Sequence, residues 1–184
     1  METEKSRESN TLPDSTAELF GSLYEQYLPR VFQYVNYRVG DVTIAEDLTS
    51  DIFNKALTRF ATYNSGKATF STWIFSIARN TIIDYYRRRD REKKIQEKVQ
   101  PEDISFSKSV EEEASRSEEI RKLYECLARL SPNEQELISL KFSSEMTNRE
   151  ISRITGLSES NVGTIICRAV RKLRDEFSGW QDGR

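Results

Sequence analysis

Between Phe70 and Arg91 the chain reads FSTWIFSIARNTIIDYYRRRDR, and the spacing of its apolar residues constrains the fold more than any other stretch. Phe70, Trp73, Ile74, Ile77, Ala78, Thr81, Ile82 and Tyr85 recur three and four residues apart, the period of an α-helix that buries one face. Around the other face lie Thr72, Ser76, Arg79, Asn80, Ile83, Asp84 and Arg87, and the helix then runs into Arg88, Arg89 and Arg91. Hydrogen-bonding groups upstream of clustered cations suit a polyanion with readable bases. Cations at a helix C-terminus are also favoured by the helix dipole alone, so this stretch by itself leaves DNA contact and a solvated face both open.

Helical periodicity recurs on either side. Upstream, Leu19, Phe20, Leu23, Tyr24, Tyr27, Leu28, Val31, Phe32 and Val35 form a broad apolar stripe, with Asp14 or Ser15 able to cap it. Pro29 lacks an amide hydrogen and clashes with the preceding turn, which predicts a kink or break near Tyr27 to Pro29. Gly40 and Asp41 mark a turn into VTIAEDLTSDIFNKALTRF. There Ala45, Leu48, Ile52, Phe53, Ala56, Leu57 and Phe60 form the side to be buried, opposite a polar face of Glu46, Asp47, Thr49, Ser50, Asp51, Asn54 and Lys55. Its acids sit at mid-helix, where the dipole does not reward them. The loop ATYNSGKA, residues 61–68, joins this helix to the next through the turn formers Asn64, Ser65 and Gly66.

Periodicity fades after residue 92 in EKKIQEKVQPEDISFSKSVEEEASRS, which predicts a flexible linker over 93–117. Its length of about 25 residues could span about 85 Å, so the flanking domains need not touch. Residues 1–14 and 179–184 read as tails, the first of them disordered. Charge alternates along the chain: eight cations face four anions from Arg79 to Lys98, and seven acids face two cations from Glu102 to Glu119. The overall charge is only −2, which is unfavourable for a protein binding DNA on its own and points to a protein partner as well as a DNA partner.

From 118 to 178 a second helical domain is predicted. Ile120, Leu123, Tyr124, Leu127 and Leu130 have helical spacing. Ser131, Pro132 and Glu134 then supply a cap, a first-turn proline and a capping-box acid. Thr147 and Glu150 form a second capping box before Ile151 and Ile154, Gly156 can end that helix in a left-handed conformation, and Ser158 can cap the last one. With Val162, Ile165 and Ile166 packing back on Ile151 and Ile154, this is a helix-turn-helix. Its second helix would present Ser158, Glu159, Ser160, Asn161, Thr164 and Arg168 to base edges, and Arg171, Lys172 and Arg174 to phosphates.

Several function classes are disfavoured. The chain has no histidine, which removes Ser-His and Cys-His nucleophile systems and histidine metal sites. It has no phosphate-cradling glycine motif, so no enzyme, metal or cofactor is expected. Cys126 and Cys167 stand alone in apparent helices and read as buried or half-buried thiols. No apolar run approaches the length of a membrane span and no secretory signal is visible, so a cytoplasmic protein without membrane insertion is expected.

The run F-x-x-W-I-F-x-I-A-R-N-x-x-I-D-Y-x-R-R-x-x-R resembles the promoter-melting, −10-reading helix of bacterial sigma factors of the extracytoplasmic-function (ECF) group. The later runs L-x-x-L-S-P-N-E-Q-E-L-I-x-L-K-F and T-N-R-E-I-S-R-I-T-G-L-S-E-S-N-V-G-T-I-I-C-R-A-V-R-K-L are similar to the −35-reading domain of the same group. The resemblance covers about 16–92 and 118–177, and departs mildly at Ser152, usually alanine, and over Phe142 to Met146. It implies an all-α protein of two small domains, a region 2 bundle over 15–92 and a region 4 helix-turn-helix, joined by the linker.

By resemblance, Asp47, Leu48, Asp51 and Asn54 would meet the polymerase β′ clamp, with Phe53 in the core. Tyr63, Asn64 and Lys67 would help to hold a flipped −10 base, beside the reading face Thr72, Ser76, Arg79, Asn80, Ile83, Asp84 and Arg87. The implied partners are core RNA polymerase, through its β′ and β subunits, promoter DNA and an anti-sigma factor. The competing reading is an autonomous dimeric helix-turn-helix regulator, which would need an isologous interface and a palindromic site.

Overall fold

The computed structural model describes residues 14–96 and 118–182, all of whose regular elements are helical. The first domain consists of α1 (Asp14–Val39), α2 (Val42–Arg59), a 3-10 turn (Phe60–Thr62) and α3 (Phe70–Gln96). The second comprises α4 (Glu118–Ala128), α5 (Pro132–Ile138), a π-helical turn (Ser139–Ser143), α6 (Asn148–Thr155) and α7 (Glu159–Asp182). Residues 1–13 of the predicted tail and 97–117 of the predicted linker lie outside the described residues, and Asp14 begins α1.

Local chemistry sets most of these boundaries. Gly40 takes φ 68, and Asp41, in an extended conformation, accepts a hydrogen bond from the Ile44 amide at 3.0 Å to start α2. Both predicted capping boxes are formed, Ser131 with Glu134 and Thr147 with Glu150. Gly156 ends α6 at φ 76, and the Ser158 hydroxyl accepts from the Asn161 amide at 3.2 Å to start α7.

Three boundaries differ from expectation. Of the kink or break expected near Pro29, the break does not form: α1 is a single helix with Pro29 inside it, and Phe20 before the proline and Val31, Tyr34 and Val35 after it are all buried in one core. α3 continues through residues 93–96, and α7 extends to Asp182 through most of the predicted tail over 179–184. The charged and amide residues that carry α3 onward are good helix formers without an apolar stripe, so the helix outlasts its periodicity.

The first core is rich in edge-on aromatic contacts. Phe20 meets Phe60 with centroids 5.0 Å apart, Tyr27 meets Phe70 at 5.0 Å and Tyr34 meets Phe75 at 5.5 Å. Two expectations for α2 are corrected: Leu57, placed in the core, is exposed, and Thr49, placed on the polar face, is buried. The α2 stripe turns towards α1 and ends at Phe60, leaving Leu57 beyond the packed seam. Cys126 is buried as expected, whereas Cys167 is exposed on α7.

The two domains pack against each other: α1 meets the π-helical turn and α3 meets α6. In addition to its predicted stripe α3 buries Ser71, Thr72 and Phe75; Phe75 packs on Tyr34 of α1, and Thr72 lies beside Thr69, which meets α6. The π turn runs into the segment that departs from the sigma pattern, Phe142 to Met146, with Glu145 at φ 51 just after the turn.

Candidate nucleic-acid and polymerase interfaces

On α2, Asp47 and Asn54 are exposed and Asp51 is half-buried, one helical face of polar groups. Asp51 binds Lys55 at 2.7 Å, so part of the acidic surface is neutralised within the helix. Leu48 is 6% exposed and Phe53 is in the core against Tyr24, with ring centroids 4.8 Å apart. Leu48 therefore orients this face from below and offers no surface for a partner, a correction to its proposed contact role. Beside the face, Leu28, Pro29, Phe32, Glu46, Thr49 and Ser50 line a shallow groove between α1 and α2.

The loop before α3 is folded on itself. The Asn64 side-chain oxygen accepts from the Gly66 amide at 2.9 Å, and the Tyr63 hydroxyl donates to the Ala68 carbonyl at 3.1 Å. Tyr63 stacks on Phe60 with centroids 5.9 Å apart and lies 5.0 Å from Trp73, so much of its ring is used for packing rather than left open to a base. Burial also raises its phenol pKa. Asn64 and Lys67 remain exposed beside it.

The predicted reading face of α3 divides in two. Asn80, Asp84 and Arg87 are exposed and Ile83 is half-buried, with Asp84 3.7 Å from Arg87. Nearer the N-terminus, Thr72 is only 5% exposed, and its hydroxyl lies 3.0 Å from that of Thr69. The Thr69 hydroxyl also donates to Glu150 of α6 at 3.2 Å, so the second domain covers this end of the helix. Ser76, half-buried, donates to the Thr72 carbonyl at 2.7 Å. Arg79 donates through Nε to Glu136 of α5 at 2.9 Å, and Glu136 is only 8% exposed.

Glu136, which sequence reasoning did not single out, is the residue that holds the Arg79 guanidinium at this face. The available signal was a carboxylate flanked by the buried run Leu137, Ile138, Ser139 and Leu140, a placement that needs a cation. Its partner is 57 residues away, so no local rule names it.

The helix-turn-helix geometry follows the predicted pattern. Ile151 and Val162 are fully buried between α6 and α7, with Ile166 beside them and Ile154 and Ile165 partly buried. The Ser152 hydroxyl donates to the Leu157 carbonyl at 2.6 Å, so the departure from alanine ties down the turn. Ser158, Glu159, Ser160, Asn161, Thr164, Arg168, Arg171, Lys172 and Arg174 are all exposed. Of these Lys172 is engaged, holding Glu134 of α5 at 2.6 Å. That bond, against the opposing effect of burial and with help from Ser131, lowers the Glu134 pKa.

Comparisons with known proteins agree with this division. Residues 23–92 match Sigma-70 region 2, and residues 120–173 match Sigma-70, region 4. The chain is 33% identical over 157 residues to the ECF RNA polymerase sigma factor BldN of Streptomyces coelicolor, covering 85% of this chain and 60% of BldN. It is 31% identical to the RNA polymerase sigma factor YlaC of Bacillus subtilis over 164 residues, 85% of this chain and 90% of YlaC. The fold is similar to that of the sigma factor RpoE, solved in complex with the anti-sigma factor NepR from Bartonella quintana. That similarity has a TM-score of 0.73 at 22% identity, over 88% of this chain and 98% of RpoE. CnrH, solved with the cytosolic domain of CnrY, is similar with a TM-score of 0.64 at 22% identity, over 91% of this chain and 90% of CnrH. With both family segments matched in order, and relatives above 30% identity along most of its length, the chain belongs to the ECF group of sigma-70 family RNA polymerase sigma factors.

Proposed function

We propose that the chain is a dissociable, cytoplasmic RNA polymerase subunit that performs no bond chemistry. α2 docks on the β′ clamp through Asp47, Asp51 and Asn54, and further contacts reach β. α3 and the 61–68 loop open and hold the −10 strand through Asn64, Lys67, Arg79, Asn80, Ile83, Asp84 and Arg87. α7 reads the −35 duplex through Ser158, Glu159, Ser160, Asn161, Thr164 and Arg168, with Arg171, Lys172 and Arg174 on the backbone.

The single observation that carries this reading is the pairing of a fully exposed helix-turn-helix face with a second, separate polar and cationic helix face, in a chain of net charge −2. Such a chain binds promoters weakly alone and tightly once a large partner supplies further cationic surface. A self-sufficient dimeric regulator has no use for the acidic face of α2, and family membership favours the polymerase subunit. Because the similar sigma factor RpoE was solved with the anti-sigma factor NepR, we also infer control by an anti-sigma factor.

Mobility shift and abortive initiation on a pool of promoter fragments, with and without core polymerase, test this directly. Core-dependent binding with new transcripts is expected, and Asp47→Lys combined with Asp51→Lys should remove both. Tight binding by the chain alone, indifferent to core and to those substitutions, would overturn the proposal.

A further inference from the structure

α6 and α7 nest around Ile151 and Val162, both fully buried. Apolar contact is non-directional, so this seam by itself does not fix how the second helix is turned relative to the first. Two polar residues of α6 supply the missing direction, one towards each end of the seam. Asn148, the first residue of α6, approaches α7 so closely that a Cβ at Gly163 would lie 3.2 Å from its Nδ2. Glycine inside a helix is otherwise unfavourable, and here it admits the Asn148 side chain against the α7 backbone.

The other contact spans the turn. Ser152 donates its hydroxyl to the Leu157 carbonyl at 2.6 Å, while its own carbonyl accepts from the Gly156 amide at 2.9 Å. Gly156, at φ 76, has the widest backbone freedom of the residues between the two helices, and the two bonds from Ser152 bracket it. An alanine at 152 would keep the carbonyl bond and lose the hydroxyl bond, since its side chain has no donor.

The bracket leads directly to the exposed face. Leu157 precedes Ser158, whose hydroxyl accepts from the Asn161 amide at 3.2 Å and so starts α7. Ser158 and Asn161 are both exposed, at the end of α7 that a helix-turn-helix inserts into the major groove. The carbonyl held by Ser152 is therefore one peptide away from the first turn of the recognition helix.

We propose that Ser152 is a positioning residue for −35 selection, whose hydroxyl fixes the turn so that Asn161 meets its base edge in one orientation. Gly163 and Asn148 set the opposite end of the helix pair. The proposal rests on the assignment of α7 as the −35-reading helix. A turn fixed before binding needs less ordering on the correct sequence. A loosened turn lets Asn161 adapt to other bases, because hydrogen bonds to base edges depend steeply on angle. Loss of the hydroxyl therefore broadens base preference without removing a contact to DNA.

The test uses the full chain with core polymerase, selecting from a pool randomised across the −35 element beside a fixed −10 element. Asn161→Ala identifies the base pair read by Asn161 as the position whose preference relaxes. Ser152→Ala should lower preference at that same base pair by about threefold to tenfold, the range that one hydrogen bond supplies. The salt dependence of binding should stay unchanged, since no phosphate contact is touched. Added to Asn161→Ala, the Ser152→Ala change should have no further effect at that base pair, because the two act through one contact. Gly163→Ala, which displaces Asn148, should also broaden preference even though alanine favours the helix, which separates misplacement from lost helix stability. Unchanged base preference in Ser152→Ala would overturn the proposal. So would an even loss of binding across all sequences that persists in the Asn161→Ala background, the result expected of a hydroxyl that only stabilises the domain. Failure of the α7 assignment would look different: Asn161→Ala itself would leave every −35 position unchanged.

Discussion

Gly156 adopts φ 76 with open space around the position a Cβ would take, so only its backbone conformation resists substitution. Gly156→Ala should destabilise the second domain by about 1 to 2 kcal/mol, the cost of a left-handed alanine, measurable as a lower urea midpoint at unchanged slope. This residue was readable in the sequence because its requirement is local: a helix must stop before another starts. Ser131, Thr147 and Ser158 were readable for the same reason, since each cap bonds an amide three residues onward, and Asp41, read only as a turn residue, caps α2 in the same way. Glu136, Arg30 and Arg38 were not, because their partners are 57, 114 and 94 residues distant.

At the scale of elements, α5 and α6 each depend on a capping-box acid whose pKa is lowered in the fold. For Glu134 the leading cause is the Lys172 hydrogen bond. For Glu150, burial acts upward but is outweighed by the Thr147 amide and hydroxyl, Thr69 and Arg153. A carboxyl whose pKa is lower folded than unfolded adds stability above the unfolded value of 4.5, and that stability disappears as pH falls through the folded value. Urea titrations from pH 6 to pH 3 should therefore show second-domain stability declining below about pH 4.5. Thr147→Ala should lower stability by about 1 kcal/mol and weaken that decline.

On α7, base-reading and phosphate-binding positions should separate experimentally. Asn161→Ala should relax preference at one base pair by about 1 to 3 kcal/mol. Arg171→Ala should weaken binding evenly across sequences and reduce the salt slope by about 1. A selection series over randomised −35 elements, repeated at several salt concentrations, distinguishes the two. The existence of these helices was clear from periodicity, but their ends were less so. α3 and α7 run past their apolar stripes on good helix formers, and α1 passes through Pro29 because the core on both sides holds it.

For the whole molecule, two helical domains and their order were legible, whereas their packing was not. Periodicity reports that a face is buried, not which neighbour buries it. Thr72 and Phe75 fell outside the α3 stripe because α3 has neighbours on more than one side. The exposure of the α7 residues proposed to meet −35 DNA was legible, since polarity on one helix face is a local property, while the cover over half of the proposed −10 face depends on a contact between distant segments.

The central claim is that this chain gives polymerase the ability to select and open a promoter. Permanganate reactivity of thymines on a selected promoter fragment tests it most directly, with the chain alone, core polymerase alone and both together. The account predicts reactive, unpaired thymines at the −10 element only when chain and core are combined. Uniformly unreactive thymines in the combined reaction, with a duplex footprint produced by the chain alone, would contradict it.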